Sequence, residues 1–401
     1  MNVVVVGSGA REHALAWRLA RSPLLDELHL APGNPGAASL GTCHPVRAED
    51  ADGLLSLALT IEADLVVIGP EAPLVAGLAD HLRQNGIRVF GPSADAARIE
   101  GSKSFAKDVL QAAGVPTAGA LAVARAPCVV KADGLAAGKG VFVCRTEDEL
   151  DAALHGVQAY GSDLVIEELL EGQEVSLFAL VDGHRAVGIG AAQDFKRIGD
   201  GDIGPNTGGM GAYSPVPWLD GAEELVARVC QPVVDELARR GSPFIGCLFA
   251  GLMLTDDGPK VLEFNARFGD PETQVYLTRL GNDLVELLAA SIDGTLGKME
   301  LKWNSMPSVC VVMASAGYPG SYAKGKVISG LDTVSALLRT KVFHAGTTRN
   351  GNDFVTNGGR VLGVTALGRD LKSAQAAAYL AVDTIHFDGA HFRRDIAAKA
   401  L

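Results

Sequence analysis

The chain has 401 residues, with 47 acidic against 35 basic side chains and a formal net charge of −12. That balance excludes a nucleic-acid coat or an anionic membrane surface as its general partner. An apolar content of 48% excludes bulk disorder, and 48 glycines, where average usage would supply about 28, follow no three-residue period, which excludes collagen.

In chain order, Val3–Val6 reads as a buried strand entering Gly7-Ser8-Gly9, and residues 10–21 carry an apolar helical stripe. Leu65–Ile68 and Ile87–Phe90, each followed by Gly-Pro, read as further strands, giving the βαβ rhythm of a parallel sheet. No lysine precedes Lys103, so an anion held by the first hundred residues must rely on arginine or backbone N–H groups. The start of the chain lacks the basic stretch and the length of a signal peptide, and no apolar run reaches ~18 residues. The six cysteines (Cys43, Cys128, Cys144, Cys230, Cys247, Cys310) form no C-x-x-C pair and are expected as buried, reduced thiols in a cytoplasmic protein.

Ser102 is placed to cap a helix running to about Ala113, closed by Gly114 and Pro116. Residues 128–191 read as strands around a glycine loop and one helix, and 195–217 as a long Gly/Pro/Asn-rich segment, expected to be an ordered lid or substrate loop. A helix over 221–240, strands near 245–255 and 260–266, and a helix over 284–292 follow. The remainder reads as a small α+β unit, with strands at 308–315, 341–345 and 361–367 and a helix at 371–386.

Four motifs carry chemistry. Gly7-Ser8-Gly9-Ala10-Arg11-Glu12 begins like a dinucleotide fingerprint, but Glu12 stands at the third glycine position, so a βα turn whose helix N-terminus faces some other anion is preferred to a nicotinamide site. Lys131-Ala132-Asp133-Gly134-Leu135-Ala136-Ala137-Gly138-Lys139-Gly140 is one residue short of a Walker A loop and reads as a hairpin loop able to fold over phosphates. Leu164–Glu174 is a strand ending in Glu167 and Glu168, a turn, and a second strand opening at Glu174, which alone could be a solvated acidic turn. In Val261–Phe268 the alternation predicts Leu262, Phe264, Ala266 and Phe268 on one face and Glu263, Asn265 and Arg267 on the other. A carboxylate and an amide two residues apart can share one hard cation, with the arginine in reach of a phosphate.

Taken in order, these motifs resemble the ATP-grasp superfamily. The strings GSGAREHA from Gly7, GPEAPL from Gly69, EGSK from Glu100, KADGLAAGKG from Lys131, GPNTGGMGAYSP from Gly204, EFNARFGDPETQ from Glu263 and VTNGGRVL from Val355 resemble the phosphoribosylamine–glycine ligase family. The resemblance covers nearly the whole chain. It implies an α/β and α+β multidomain fold: an N-terminal Rossmann-like parallel domain over 1–101, an ATP-grasp domain of two α+β subdomains over 102–300 with a mobile flap at about 117–191, and a small C-terminal α+β domain over 301–401. It implies ATP and Mg²⁺ (or Mn²⁺) as cofactors, glycine and 5-phosphoribosylamine as substrates in purine synthesis, no nucleic acid or membrane partner, and a monomer.

The roles implied are equally specific. Glu263 and Asn265 hold the metal, and Lys131 and Arg267 join them as catalytic groups. Lys103, Lys131, Gly138, Lys139 and Gly140 handle the ATP phosphates. Glu167, Glu168 and Leu170 line the adenine strand, and Glu174 takes the ribose hydroxyls. The substrates fall to Gly9, Arg11, Glu12, Glu71, Thr207, Gly208, Gly209 and Asp270. Against the family pattern, the stretches at 118–127 and 155–162 are short. Three alternatives compete: another ATP-grasp carboxylate–amine ligase, disfavoured by the GPNTGGMGAYSP and RFGDPETQ strings; a nicotinamide dehydrogenase, disfavoured by Glu12; and a non-catalytic nucleotide sensor, disfavoured by the Glu263–Asn265 pair.

Overall fold

Four consecutive valines leave a strand no polar face, so it must be covered on both sides. In the computed structural model, which describes residues 1–136, 140–161 and 163–401, that strand, Asn2–Gly7, is the centre of a five-stranded sheet. The order is Thr42–Cys43, Glu27–Pro32, Asn2–Gly7, Leu65–Ile68 and Val89–Phe90, every pairing parallel. The strand order reverses beside Asn2–Gly7, which opens a crevice at the Gly7 end.

The largest sheet has eight antiparallel strands: Gly258–Asn265, Ile245–Thr255, Gln173–Asp182, Ala186–Asp194, Gly211–Ser214, Ser308–Ala314, Arg360–Leu367 and Thr340–His344. Its last three strands come from the C-terminal hundred residues, so the C-terminal unit shares one sheet with the centre of the chain. Gly211–Ser214 is the joining strand, drawn from the glycine-rich segment. That segment, expected to be a long loop, also forms a hairpin of Arg197–Gly199 and Ile203–Asn206. Glycine hides a strand from a propensity reading, yet Gly211 is needed here because a Cβ on it would stand 2.6 Å from the Cys310 carbonyl.

A third sheet, Val141–Cys144, Cys128–Ala132 and Leu164–Glu168, has its own small core with the helix Glu147–Gly156. The strands Gln173–Asp182 and Ala186–Asp194, grouped above with the flap, pair within the eight-stranded sheet instead. Ser102 caps the helix Lys103–Ala112 by accepting the Phe105 N–H, as its position predicts. The helix expected over 221–240 contains a π-helical turn, Val226–Cys230, just before Pro232, whose missing N–H cannot bond back to Arg228. The hairpin Thr347–Asn350 with Asp353–Thr356 was not foreseen, because Phe354 and Val355 are its only apolar strand residues and two adjacent positions set no period. All six cysteines are free thiols, five buried and Cys43 half-buried.

The first helix, Ala10–Leu19, docks on the edge strand Thr340–His344 through two histidines. The His344 N–H donates to His13 Nδ1 at 2.9 Å, and Asn34 Nδ2 donates to the His344 carbonyl at 2.8 Å. Burial, with His344 beside it, drives His13 down to about 3, and burial with Arg349 takes His344 down to about 4. Both rings are neutral in the fold but protonate near 6.5 when unfolded. Their contribution is therefore complete above pH 6.5 and is lost as pH falls through the window down to the folded values. Within that window, chemical denaturation should show stability falling by about 1.4 kcal/mol per pH unit of acidification for each histidine. In His13→Gln, which keeps an acceptor, the slope should lessen by about one histidine's worth; an unchanged slope would sink this reading.

Candidate active site

The site is built around the strand Gly258–Asn265. Its pairing with Ile245–Thr255 slips: Gly251 faces Glu263 and Leu252 faces Val261, which leaves Leu262 as a bulge. Phe264 and Ala266 are buried on the core face as the alternation predicts. The bulge turns Leu262 to the opposite face, against the prediction, and there it borders a cleft of about 930 Å³ together with Glu263, Asn265 and Arg267. Its carbonyl accepts from Lys131 Nζ at 2.9 Å.

The cleft has two characters. Ala118, Leu170, Met253 and Leu262 form one apolar cluster, joined along the cleft by Val129. Beyond it stand Lys103, Lys131, Lys196, Glu263, Asn265 and Arg267. Burial opposes charge on Glu263, but Lys196, Lys103, Lys131 and Arg267 together hold its carboxyl below the usual range. It is therefore an ionised oxygen donor facing a cationic field, with the Asn265 amide two residues on. Among the described residues, no group of three or more His, Cys, Asp or Glu gathers as a metal cluster. A cation here would take the remainder of its shell from a ligand's oxygens, as a small, hard ion bound with phosphates does.

Lysines in the cleft are paired with the protein's own acids. Glu167 is buried between Lys131 Nζ at 2.6 Å and Lys107 Nζ at 2.8 Å. Lys107 also donates to Thr117 Oγ1 at 2.8 Å and to the Ala118 carbonyl at 2.5 Å, so it ties the strand Leu164–Glu168 to the chain entering the flap sheet. Lys196 Nζ lies 2.9 Å from Glu174 Oε2. Burial would lower it, but Glu174, Asp194 and Glu263 raise it well above an ordinary lysine. Glu168 accepts the Gly119 N–H at 2.9 Å, and Gly140 and Leu170 line the wall. Gly138 and Lys139 lie outside the described residues.

Arg267 connects the units. Its Nη2 meets Glu100 Oε1 at 3.2 Å and Asn265 Oδ1 at 3.0 Å, and its Nε lies 3.4 Å from Glu71 Oε2. Burial would raise Glu71, but Arg267 and then Arg11 draw it down to about 2. Glu272, 3% exposed, is the reverse case: burial and then Asp194 push its carboxyl up to about 7, and its Oε2 has no hydrogen-bond partner.

The Gly7-Ser8-Gly9 turn differs from expectation. Its helix N-terminus does face an anion, but the anion is Glu12. The Gly9 N–H donates to Glu12 Oε2 at 2.6 Å, and a Cβ on Gly7, Gly9 or Gly69 would come within 2.8 Å of the Glu12 side chain. Arg11 is likewise engaged, by Glu12 Oε1 at 2.6 Å, the Phe268 carbonyl at 3.2 Å and Glu71 at 3.9 Å. The remaining predicted substrate residues come together around Arg360. Its guanidinium donates to the carbonyls of Gly208 (2.5 Å) and Asp270 (2.7 Å) and pairs with Asp270 Oδ2 at 3.2 Å. The Gly208 N–H donates to Tyr318 Oη at 3.0 Å, and Thr207 Oγ1 accepts the Gly209 N–H at 2.9 Å. Arg360, Glu100 and Glu272 sat inside strings singled out in the sequence yet were passed over, and Lys107, Lys196 and Asp194 had no local signature.

Three comparisons bear on this architecture. Residues 1–100 match the phosphoribosylglycinamide synthetase N domain, 101–273 its ATP-grasp (A) domain and 308–399 its C domain. A phosphoribosylamine–glycine ligase of Streptomyces coelicolor is 53% identical over 417 aligned positions, covering 100% of this chain and 99% of the relative. One of Mesorhizobium japonicum is 49% identical with the same coverage. Alignments longer than the 401 residues mean that this chain is shorter than they are at internal places. The crystal structure of the Thermotoga maritima phosphoribosylamine–glycine ligase superposes with a TM-score of 0.84 at 34% identity, covering 99% of this chain and 100% of that one. The biotin carboxylase domain of Hydrogenobacter thermophilus 2-oxoglutarate carboxylase shares the fold, with a TM-score of 0.72 at 18% identity over 98% of this chain and 91% of that one.

The Glu12 plug makes a stability prediction. Glu12→Ala should lower unfolding free energy by about 3 kcal/mol, because Arg11 loses a buried partner and the turn is left hollow. Urea denaturation reads the change, and a loss below about 1 kcal/mol would show the plug to be dispensable.

Proposed function

The chain belongs to the phosphoribosylglycinamide synthetase family, and on that premise we propose that it joins glycine to 5-phosphoribosylamine at the expense of ATP, giving glycinamide ribonucleotide, ADP and phosphate. The observation that carries this reading is the bulged strand, which sets Glu263 and Asn265 opposite three lysines beside an apolar slot. The slot formed by Ala118, Leu170, Met253 and Leu262 is suited to a flat purine base, with Glu174 near its polar edge for ribose hydroxyls. Lys103, Lys131 and Lys196 are suited to the phosphates that follow.

The chemistry needs no nucleophilic side chain. A carboxylate oxygen of glycine attacks the γ-phosphorus, ADP leaves, and glycyl phosphate results. The amine of phosphoribosylamine then attacks the acyl carbon, phosphate leaves, and the nitrogen gives up a proton. The protein's work is to place anions and neutralise them. Glu263 and Asn265 would hold Mg²⁺ or Mn²⁺, which would supply charge neutralisation for the phosphates. Arg267, fixed by Glu71, Glu100 and the Phe268 carbonyl, supplies positive charge beside the transferred phosphate. Glu272, with a carboxyl near neutrality and an unpaired oxygen, is suited to receive the amine's proton. Lys131 must exchange Glu167 for phosphate as ATP enters, and Gly140 borders the same part of the cleft.

Glycine and the phosphoribosyl group belong on the side formed by Arg11, Glu71, Thr207, Gly208, Gly209 and Asp270. Gly9 and Glu12 serve that side by fixing Arg11. The working units are residues 1–101, 102–300 and 301–401, with the three-stranded sheet as the moving flap. No helix among the described residues is long and apolar enough to cross a membrane; the enzyme is read as a cytoplasmic monomer.

Purified protein given ATP, Mg²⁺, glycine and freshly made phosphoribosylamine should release ADP in a manner that requires both substrates. Release without either one, or only with a different amine, would overturn the assignment in favour of another carboxylate–amine ligase. Glu263→Ala should lower turnover by at least about 100-fold with an unchanged circular dichroism spectrum; activity within a few-fold of the parent would remove Glu263 from the metal role.

A further inference from the structure

The segment that follows the helix Leu371–Thr384 has no part in the reading above, yet it reaches the cleft. It is anchored to that helix: Tyr379 Oη donates to the Arg393 carbonyl at 2.9 Å and accepts the Ile396 N–H at 3.0 Å, and Gln375 Nε2 donates to the Ile396 carbonyl at 2.8 Å. From this anchor a set of polar contacts runs to the hairpin Arg197–Gly199 and Ile203–Asn206. Arg393, with no exposed surface, donates to Asp202 Oδ1 at 2.8 Å and to the Arg197 carbonyl at 3.1 Å. Its other nitrogens meet both oxygens of Asp395 at 2.7 and 2.6 Å, and Asp395 in turn accepts the Gly201 N–H at 2.9 Å. The Arg394 N–H donates to Asp200 Oδ1 at 2.7 Å, and His391 Nε2 lies 2.9 Å from the Ile198 carbonyl. Lys399 pairs with the second oxygen of Asp202.

The hairpin tip needs such restraint. Asp202 sits at φ +57°, between Gly201 at +69° and the extended Ile203, a left-handed conformation that a residue with a side chain adopts only at a cost. Arg393 and Lys399 also stand 4.8 and 5.7 Å from the ring of Phe195, the residue immediately before Lys196. At the hairpin's base, the Lys196 carbonyl accepts from both the Thr207 N–H and Thr207 Oγ1 at 2.8 Å. Arg197, Asp202, Asn206, Thr207 and Lys399 all border the cleft.

We propose that Arg393 and Lys399 are positioning residues for the transfer reaction: acting through Asp202, they hold the 197–206 hairpin and with it Lys196 and Thr207 in place beside Glu263. The consequence for the reaction rests on the ligase reading, while the restraint on the hairpin does not. A displacement of about 1 Å in groups that orient reacting anions is enough to cost substantial rate. The hairpin takes no part in the apolar slot, so the seat of the base should be spared, while Lys196 on the phosphate side and Thr207 on the acceptor side lose their positions and transfer to the acceptor suffers.

Lys399→Met is the primary variant, because its side chain is 54% exposed and the fold should withstand the change. Asp202→Asn is the second. In each, kcat/KM for phosphoribosylamine should fall about tenfold while the thermal midpoint holds. Lys399→Arg should restore most of the loss, and the double variant should be no worse than the poorer single one, since both act on one contact. Trypsin cleavage after Arg197, followed by mass spectrometry, should be about tenfold faster in both variants, a readout that needs no turnover. Acceptor kinetics and cleavage equal to the parent in both variants would overturn the proposal, as would losses that only track a lowered thermal midpoint. A parent enzyme that fails to couple ADP release to glycine and phosphoribosylamine would overturn the ligase reading instead, and the cleavage comparison would still decide the proposal.

Discussion

The arrangement depends on Arg267. Its guanidinium reaches Glu71 from the first sheet's unit, Glu100 from the helix Ala94–Gly101 and Asn265 on its own strand. A cation in that position is tolerable only because its acids arrive from different parts of the chain; removing one partner from such a buried pair typically costs about 3–5 kcal/mol. The same contacts aim the strand Gly258–Asn265 and its Glu263–Asn265 pair, so the packing of the units and the shape of the site are one problem.

Charge management explains how an acidic chain can handle polyanions. Three lysines that border the cleft sit against acids of the protein, Lys131 on Glu167, Lys196 on Glu174 and Lys399 on Asp202, and Lys107 pairs with Glu167 from outside it. These pairs compensate the cleft's own charges, and an incoming phosphate competes with carboxylates already in place. The N-terminal turn takes this furthest. Gly7, Gly9 and Gly69 make room for Glu12, so the helix N-terminus that could have met a ligand is satisfied from within. Part of the glycine surplus therefore serves close protein contacts: a Cβ on Gly211 would meet the Cys310 carbonyl, and one on Gly359 would meet the Tyr318 ring.

The continuous eight-stranded sheet gives the C-terminal unit a place in the site. Because Gly211–Ser214 pairs with Ser308–Ala314, the strand that carries Arg360 lies one position further on in the same sheet, and Arg360 reaches Asp270 and Gly208 from there. Arg393 and Lys399 reach the neighbouring hairpin from the same unit. A reading that divides the chain into successive units along its length understates this contribution.

Local pattern alone determined much. The valine run and the Gly-Pro endings gave away the parallel sheet, Ser102 the start of its helix, and the spacing of Glu263, Asn265 and Arg267 their common face on one cleft. These are legible because side-chain alternation and capping depend on neighbours within a few residues. What local pattern misplaced or missed depends on partners far along the chain. The Leu262 bulge is set by the register against Gly251 and Leu252, the strand at Gly211 by its close approach to Cys310, and Glu12's position by glycines from two separate turns. Lys107, Lys196, Arg360 and Arg393 acquire meaning only from acids or carbonyls that folding brings beside them. Electrostatic pairing and steric contact act through space, and a sequence records only what is adjacent along the backbone.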